Sequence, residues 1–241
     1  MPHASNFLLG RLVPATLARL GPHLSVVELA AGEVLAEPHQ HIRRVYFPHS
    51  GIISSIVELS DGSTIETGMV GHDGVFGASQ ALDDKVSLNL VTVQIPGKAS
   101  AIGPDRLRVL ANELPDFKAL LIKYEQFFLS QVQQTAACNA VHDIEARTCK
   151  WLARMHDLAG PDLLLTQEFF ARMMGVRRTS VTTVAGALQG AGLISYSRGR
   201  LHIHDIEQIR KRACECDDAV RANFQRMFAD VEADTRIQRC V

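Results

Sequence analysis

The sequence predicts an α+β fold made of an N-terminal antiparallel β-roll, a long helix and a C-terminal winged helix-turn-helix. Three observations predict it. Short β-branched segments separated by turn residues fill residues 26–102, and apolar residues recur at helical spacing over 115–141. Two short helical patterns and an arginine-tipped hairpin follow within 166–203. With 241 residues, 46% of them hydrophobic, the chain has enough apolar side chains for more than one core.

The composition limits the class of protein. The formal net charge is −1, so the whole molecule is not a polycation. Five cysteines, an odd number, indicate a reducing compartment rather than a disulfide scaffold. No apolar run reaches the roughly 18 residues that a spanning helix needs, and the N-terminus lacks a basic-then-apolar secretory layout. We therefore expect a soluble cytoplasmic protein without a membrane partner.

A short helix precedes the predicted β-roll. Leucines between residues 8 and 20 give a brief helical pattern that stops at Gly21-Pro22. The clearest hairpin pairs 52–59 with 64–70 around an Asp-Gly turn. Glycines recur between 68 and 77, which indicates a segment where the backbone bends tightly or another group approaches it closely.

A long helix is predicted from Pro115, a residue suited to a first helical turn. Its heptad-like seam consists of Phe117, Leu120, Tyr124, Phe127, Gln131, Gln134 and Cys138. A second apolar face consists of Leu121, Phe128, Leu129 and Val132. Because a helix with two apolar faces needs two partners, we predict that the seam pairs with a second copy of the chain. The simpler alternative is an amphipathic helix packed only on its own sheet.

Residues 166–189 place small, flexible and buried residues in the order of a helix-turn-helix. The small Ala171 lets two helices approach, Gly175 tolerates the positive φ of a tight turn, and Val181 lies at a buried position of the second helix. That second helix begins with two arginines, where the helix dipole disfavours cations. Since a merely solvated turn would lose stability from this placement, we infer that an anion, the DNA phosphate backbone, faces it.

A hairpin completes the predicted DNA-binding surface. Residues 193–203 alternate apolar and polar around Arg198-Gly199, which predicts a wing that contacts phosphates beside the groove. The segment 161–204 carries five arginines and two acidic residues, net +3. Arginine binds guanine edges in the major groove, and hydroxyls bind phosphates or base edges. The residues predicted to bind DNA are Arg177, Arg178, Thr179, Ser180, Thr182, Thr183, Arg198 and Arg200.

The segment 165–201, LTQEFFARMMGVRRTSVTTVAGALQGAGLISYSRGRL, resembles bacterial transcription regulators of the Crp/Fnr superfamily, and the resemblance extends over roughly residues 10–205. It implies a roll like a cyclic-nucleotide-binding domain, with Arg178, Thr179 and Thr183 facing bases. It also implies that Thr166 and Gln167 lie near the DNA backbone. Because Thr183 is short where the family commonly has a long base-reading residue, the operator sequence does not carry over.

The resemblance also implies an effector pocket in the roll, formed by Gly71, Gly74, Val75, Phe76, Gly77, Ala78 and Lys85. Relatives that bind cyclic AMP use a Gly-Glu pair for the ribose and a later arginine for the cyclic phosphate. Here Ala78 follows Gly77, and no arginine lies between Gly77 and Pro96. Because Lys85 supplies only a point charge at a shifted position, we expect no cyclic AMP cofactor.

The cysteines and histidines predict no metal site. The first cysteine is Cys138, so the N-terminal iron–sulfur ligation of oxygen-sensing relatives is not expected. We interpret Cys138 and Cys149 as small buried residues. The pair at 214 and 216 lacks the four ligands of a zinc site, which leaves a redox role as the alternative. Two His-x-His pairs, at 39–41 and 202–204, are interpreted as surface residues.

Composition shifts and helix breaks predict four parts: a sensor roll (1–112), a dimerisation helix and hinge (113–142), the winged helix-turn-helix (143–205) and a helical C-terminal extension (206–241). We expect a homodimer on palindromic double-stranded DNA that acts with RNA polymerase, without catalytic residues. One alternative is a regulatory module that binds proteins. A cupin-like metal enzyme at His39 and His41 is disfavoured because Arg43-Arg44 follows where such a site needs a carboxylate.

Overall fold

A computed structural model describes residues 2–83 and 86–229. The strands are β1 (Ser25–Leu29), β2 (Val34–Ala36), β3 (Val45–Pro48), β4 (Ile52–Glu58), β5 (Thr64–Val70), β6 (Leu90–Ile95), β7 (Gly97–Ile102), β8 (Asp162–Leu164), β9 (Ile194–Ser197) and β10 (Arg200–Ile203). The helices are α1 (Phe7–Gly10), α2 (Pro14–Leu20), α3 (Ala78–Asp83), α4 (Pro104–Glu113), α5 (Pro115–Val141), α6 (Ile144–Ala159), α7 (Gln167–Met174), α8 (Arg178–Gly190), α9 (Ile206–Arg212) and α10 (Cys216–Phe228). The predicted α+β fold is confirmed.

The β-roll consists of two antiparallel sheets, with strand orders β1-β7-β3 and β2-β6-β4-β5. The predicted hairpin is β4–β5, in which Glu58 pairs with Thr64 across a turn that contains Gly62 at φ +80. The single N-terminal helix that we predicted is two helices. Asn6 caps α1, which ends at Gly10, and Pro14 begins α2 at a first-turn position.

The long helix α5 has 27 residues, begins at Pro115 as predicted, and spans about 40 Å. It ends at Val141, and His142 leaves it in an extended conformation. Asp143 then caps α6 by accepting a hydrogen bond from the Ala146 amide at 2.9 Å. The backbone therefore changes direction where the sequence predicts the hinge.

The prediction that the heptad-like seam of α5 pairs with a second copy is wrong. Phe117, Tyr124, Phe127 and Cys138 are at most 1% exposed within the single chain, and Gln131 is 5% exposed. The reason is that the roll and α10 cover this face. Phe127 meets Phe224 of α10 with ring centroids 5.0 Å apart. Leu120 and Gln134, the other seam residues, are half-buried.

A different stripe of α5 is exposed. Ile122 is 46% and Leu129 is 57% exposed. They lie seven residues apart, and the exposed Gln126, Gln133 and Ala136 continue the same face. The face that the sequence assigned to a second copy is therefore covered within the chain, and the exposed face is a different one.

The helix α6 joins the C-terminal domain to the roll. Trp151 Nε1 donates a hydrogen bond to Glu66 Oε1 at 2.7 Å, and Arg154 forms an ion pair with Asp73 at 2.8 Å. Burial raises the pKa of Glu66 to about 7. No helix in the described part of the chain is long and apolar enough to cross a bilayer.

Candidate nucleic-acid interface

The helix-turn-helix consists of α7 and α8, and local signals set its geometry. Thr166 Oγ1 caps α7 by accepting from the Phe169 amide at 3.1 Å. Gly175 ends α7 in the left-handed conformation, with φ +63 and ψ 39. Arg177 is extended, and α8 begins at the next residue. The turn therefore lies where the sequence predicts it.

One face of each helix is buried in the C-terminal core. Phe170 stacks on Trp151 with centroids 4.6 Å apart. Ala171 and Val181 are 3% and 1% exposed, as their predicted packing roles require, and Leu188 is fully buried. Because α8 is anchored along this side, its opposite side faces solvent.

The solvent face of α8 carries the predicted polar residues. Arg177, Arg178, Thr179, Thr182 and Thr183 are exposed, and Ser180 is half-buried. No acidic residue lies in the first turn of α8, and within the described residues neither arginine side chain has a hydrogen-bond or ion-pair partner. Two unneutralised guanidinium groups therefore stand at the positive end of a helix dipole, an arrangement suited to a polyanion.

The threonine hydroxyls on α8 are already oriented. Thr183 Oγ1 donates to the Thr179 carbonyl at 3.0 Å. Thr182 Oγ1 lies 3.0 Å from the Arg178 carbonyl and 2.9 Å from Gln167 Oε1. Since each hydroxyl has one hydrogen, these groups present acceptor lone pairs and a methyl group to a ligand. That chemistry suits base amino groups and the thymine methyl better than phosphate oxygens.

The wing is a three-stranded sheet in the order β8-β10-β9. Arg198 and Gly199 form its tip with φ +49 and +75, as a tight hairpin turn requires. The Gly199 carbonyl accepts from the Leu165 amide at 2.8 Å, beside Thr166. The exposed Arg198 and Arg200 are thereby held close to the start of α7, which brings the predicted Thr166 and Gln167 to the same end of the domain.

Residues 146–212 match the family model of the Crp-like helix-turn-helix domain. The roll and the domain together match the solved structures of Crp/Fnr-family regulators. The chain has the Crp/Fnr regulator fold and carries a Crp-like helix-turn-helix. The resemblance inferred from the sequence therefore holds for the fold and for the helix-turn-helix domain.

Three solved structures illustrate the match. FixK2 from Bradyrhizobium japonicum has a TM-score of 0.67 at 13% identity, over 79% of this chain and 98% of that one. A CRP-family transcriptional regulator from Thermus thermophilus has a TM-score of 0.64 at 19% identity, over 78% and 96%. The c-di-GMP responsive global regulator CLP from Xanthomonas campestris has 0.63 at 18% identity, over 80% and 100%. Among curated proteins, none matches this chain.

The roll of this Crp-like chain has a partly open cavity of about 590 Å³ between β4, β5, β6, α3 and α5. Of the predicted pocket residues, Val75, Phe76 and Gly77 line it. Lys85 lies outside the described residues. Within the described chain no arginine or lysine lines the cavity, whereas Glu125 does. The Glu125 carboxylate accepts from the Ser79 amide at 3.2 Å, and burial raises its pKa.

The other predicted pocket residues have packing roles, so that part of the prediction is wrong. A Cβ on Gly71 would come within 2.6 Å of the Leu158 side chain of α6, and a Cβ on Gly74 would overlap the Tyr124 ring. Ala78 is fully buried at the start of α3. Gly71 and Gly74 therefore allow two helices to pack closely against the roll.

A second cavity, of about 260 Å³, lies between the roll, α5, α6 and α10. It is lined by Gln131 and Arg154, among others, and both have a side-chain nitrogen without a hydrogen-bond partner in the described structure. No sequence pattern indicates this cavity, because its walls come from segments far apart in the chain.

The structure agrees with the surface placement predicted for His39 and His41, but not with the interpretation of the cysteine pair as isolated. His39 and His41 are exposed and belong to no group of three metal-ligating side chains in the described residues. The interpretation of Cys214-x-Cys216 as an isolated pair is wrong. Cys138 and His142 of α5 lie beside it, and the ligand atoms of the four residues are within 4.8 Å of one another. Cys149 is buried, as expected.

Proposed function

We propose that the chain is a sequence-specific regulator that binds palindromic double-stranded DNA as a homodimer in the cytoplasm and acts with RNA polymerase. One observation carries the proposal: Arg177 and Arg178 are exposed at the start of α8 without a neutralising partner among the described residues. This placement has an energetic cost in the free protein, which bound phosphates and guanine edges would remove.

The dimer interface that we propose is the exposed stripe of α5 that includes Ile122 and Leu129. Pairing two copies of this stripe would bury apolar side chains at heptad spacing. A two-fold axis beside α5 would present the two α8 helices to successive major grooves, about 34 Å apart. The interface is therefore tested by substituting Leu129, not the buried residues of the predicted seam.

We propose that the signal at the roll is not a cyclic nucleotide. A cyclic phosphate carries a negative charge, and the cavity of the roll offers it a carboxylate and, within the described residues, no guanidinium or ammonium group. Anion binding there lacks the charge-assisted hydrogen bonds that it needs. No catalytic role is proposed for any residue.

The test uses purified full-length protein. Sites selected from a randomised DNA pool provide the specific sequence, and gel-shift titrations then compare Arg178→Ala with Arg43→Ala. Arg43 is an exposed arginine of the roll, so both variants lose one positive charge. We expect Arg178→Ala to weaken specific binding by about 1–3 kcal/mol and random-DNA binding by less, and Arg43→Ala to match the wild type.

Three outcomes would count against the proposal. If Arg178→Ala weakened binding to the specific DNA and to random DNA equally, Arg178 would contact the phosphate backbone and not a base. Selection without any enriched palindrome would reject sequence-specific binding by a dimer. Affinity that does not fall steeply with added salt would reject phosphate contact and favour a protein-binding module.

A further inference from the structure

Four side chains with metal-ligating atoms converge where α5 meets the C-terminal extension. Cys138 lies in the last turn of α5 and His142 directly follows that helix, whereas Cys214 lies in the link between α9 and α10 and Cys216 is the first residue of α10. Cys138 Sγ lies 3.4 Å from Cys214 Sγ, and Cys216 Sγ lies 3.6 Å from His142 Nδ1. All four ligand atoms are within 4.8 Å of one another.

Two of these distances are close to those between the ligands of a single tetrahedral ion. Zinc binds sulfur at about 2.3 Å and imidazole nitrogen at about 2.0 Å, which places ligand atoms about 3.5–3.8 Å apart around the ion. The two measured pairs are within a few tenths of an ångström of that range. A cluster of several irons would spread its ligands over more than one metal, so a compact set favours one ion.

The local structure brings the four residues together without distortion. Cys138 lies in the last turn of α5, and His142, the residue after that helix, donates its amide to the Cys138 carbonyl at 3.1 Å. Cys214 and Cys216 flank the start of α10, which packs on α5. The three cysteines are at most 9% exposed.

The surroundings of these side chains suit metal ligation. His142 Nε2 lies 3.2 Å from Glu215 Oε1, which leaves Nδ1 for an ion and matches the usual carboxylate–histidine–metal arrangement. Gln134 Nε2 donates to Cys216 Sγ at 3.1 Å, a hydrogen bond that a thiolate accepts well. Lys150 interacts electrostatically with Cys138 and would offset the excess negative charge of three thiolates on one divalent ion.

We propose that Cys138, His142, Cys214 and Cys216 bind one zinc ion. The donor set of three thiolates and one imidazole is a common structural zinc set, and four protein ligands leave no open position for catalysis. The ion would fasten the end of α5 to the segment that follows the winged domain. It would therefore restrain the hinge between the sensor roll and the DNA-binding domain. This inference does not depend on the proposed DNA sequence or dimer.

The experiment measures the metal content of full-length protein purified from zinc-supplied cells without chelator. We expect one zinc per chain by elemental analysis, and zinc-edge X-ray absorption with three sulfur ligands and one nitrogen ligand. Cys216→Ser and His142→Gln remove direct ligands and are expected to lower zinc affinity in a chelator competition by more than the roughly 10- to 100-fold that loss of an outer-shell partner costs. Cys149→Ser is the matched control, since Cys149 is a buried cysteine outside the cluster, and it is expected to retain the ion. Glu215→Gln is expected to weaken binding by about 10-fold.

Circular dichroism of every variant separates loss of a ligand from loss of the fold. The proposal is overturned if folded, reduced wild-type protein takes up no zinc at micromolar free zinc. It is also overturned if Cys216→Ser and His142→Gln keep the affinity of the Cys149→Ser control. A Cys138–Cys214 disulfide in the metal-free isolated protein, with no zinc uptake after reduction, would replace the metal site with a redox pair.

Discussion

The winged domain and the roll differ in where they keep their charged groups. The winged domain exposes Arg177 and Arg178, and neither has an ion-pair partner among the described residues. In the roll, by contrast, Glu66 is buried beside α6, and Glu125 of α5 is half-buried at the cavity; desolvation raises the pKa of each. The two guanidinium groups of α8 are available to a polyanion, whereas the carboxyl groups of Glu66 and Glu125 have been partly or wholly removed from water at a cost in stability.

This difference shows that a shared fold does not fix the ligand of each part. The chain keeps the Crp/Fnr arrangement of roll, long helix and winged domain, yet only a few side chains decide what each region binds. The exposed arginines fit the DNA-binding role expected of that fold. The cavity beside Glu125 has, within the described residues, no cationic side chain that would pair with a cyclic phosphate.

The largest expected effect is on the pH dependence of stability, and it comes from Glu66. Its folded pKa of about 7 lies above the ordinary value of 4.5, so the folded chain holds an extra proton between these pH values. Stability is therefore unaffected below about pH 4.5 and falls as pH rises toward 7. At about 1.4 kcal/mol per pKa unit, the penalty approaches about 3 kcal/mol above pH 7. Lys150 and Arg154 offset only part of the cost of burial.

Glu66→Gln removes this penalty and keeps an oxygen that accepts from Trp151 Nε1. We expect the variant to be more stable than the wild type by about 3 kcal/mol at pH 8 and equal to it near pH 4.5, from urea unfolding. Glu58→Gln, at an exposed carboxylate of the same hairpin, is the control and should leave the pH dependence unchanged. Parallel pH profiles of Glu66→Gln and the wild type would show that Glu66 is ionised in the folded chain.

The next largest expected effect is a loss of stability and of specific DNA affinity when the turn between α7 and α8 is changed. Gly175→Ala places a Cβ at a left-handed φ of +63 and 2.8 Å from Ile65 Cδ1. We expect a loss of about 1–2 kcal/mol in unfolding free energy. Because α7 and α8 meet at this turn, specific DNA affinity should fall by more than random-DNA affinity.

Gly186→Ala is the matched control, because this glycine lies within α8 and a Cβ there meets nothing within 4 Å. It should gain up to about 1 kcal/mol of stability from its higher helix propensity, with DNA affinity unchanged. Destabilisation by both substitutions to the same extent would mean that the turn has no special conformational requirement.

The sequence predicted the features that depend on neighbouring residues. The left-handed Gly175, the first-turn Pro115 and the Asp61-Gly62 hairpin are all set by one to four adjacent residues, and the structure has each. Local conformation leaves few alternatives at such positions.

Features that depend on distant segments were not predictable in this way. The periodicity of α5 shows two apolar faces, but it cannot tell which one α10 covers, because Phe224 is about a hundred residues further along the chain. The same holds for the cluster at Cys138, whose partner Cys214 is 76 residues away. The sequence disfavours a zinc site because two of the four possible ligands, Cys214 and Cys216, lie far along the chain from the other two.

The smallest expected effect is the response to cyclic AMP, and it tests the roll directly. Cyclic AMP at millimolar concentration should leave both the melting temperature and the DNA affinity of the full-length protein unchanged within error. The reason is that its phosphate would enter a cavity lined by Glu125 and, within the described residues, by no cationic side chain. Specific DNA at the same excess should raise the melting temperature, since ligand binding stabilises the folded state by mass action. If cyclic AMP instead raised it by several degrees, the roll would have a phosphate partner that its described lining does not include, and the contrast between the two regions would fail.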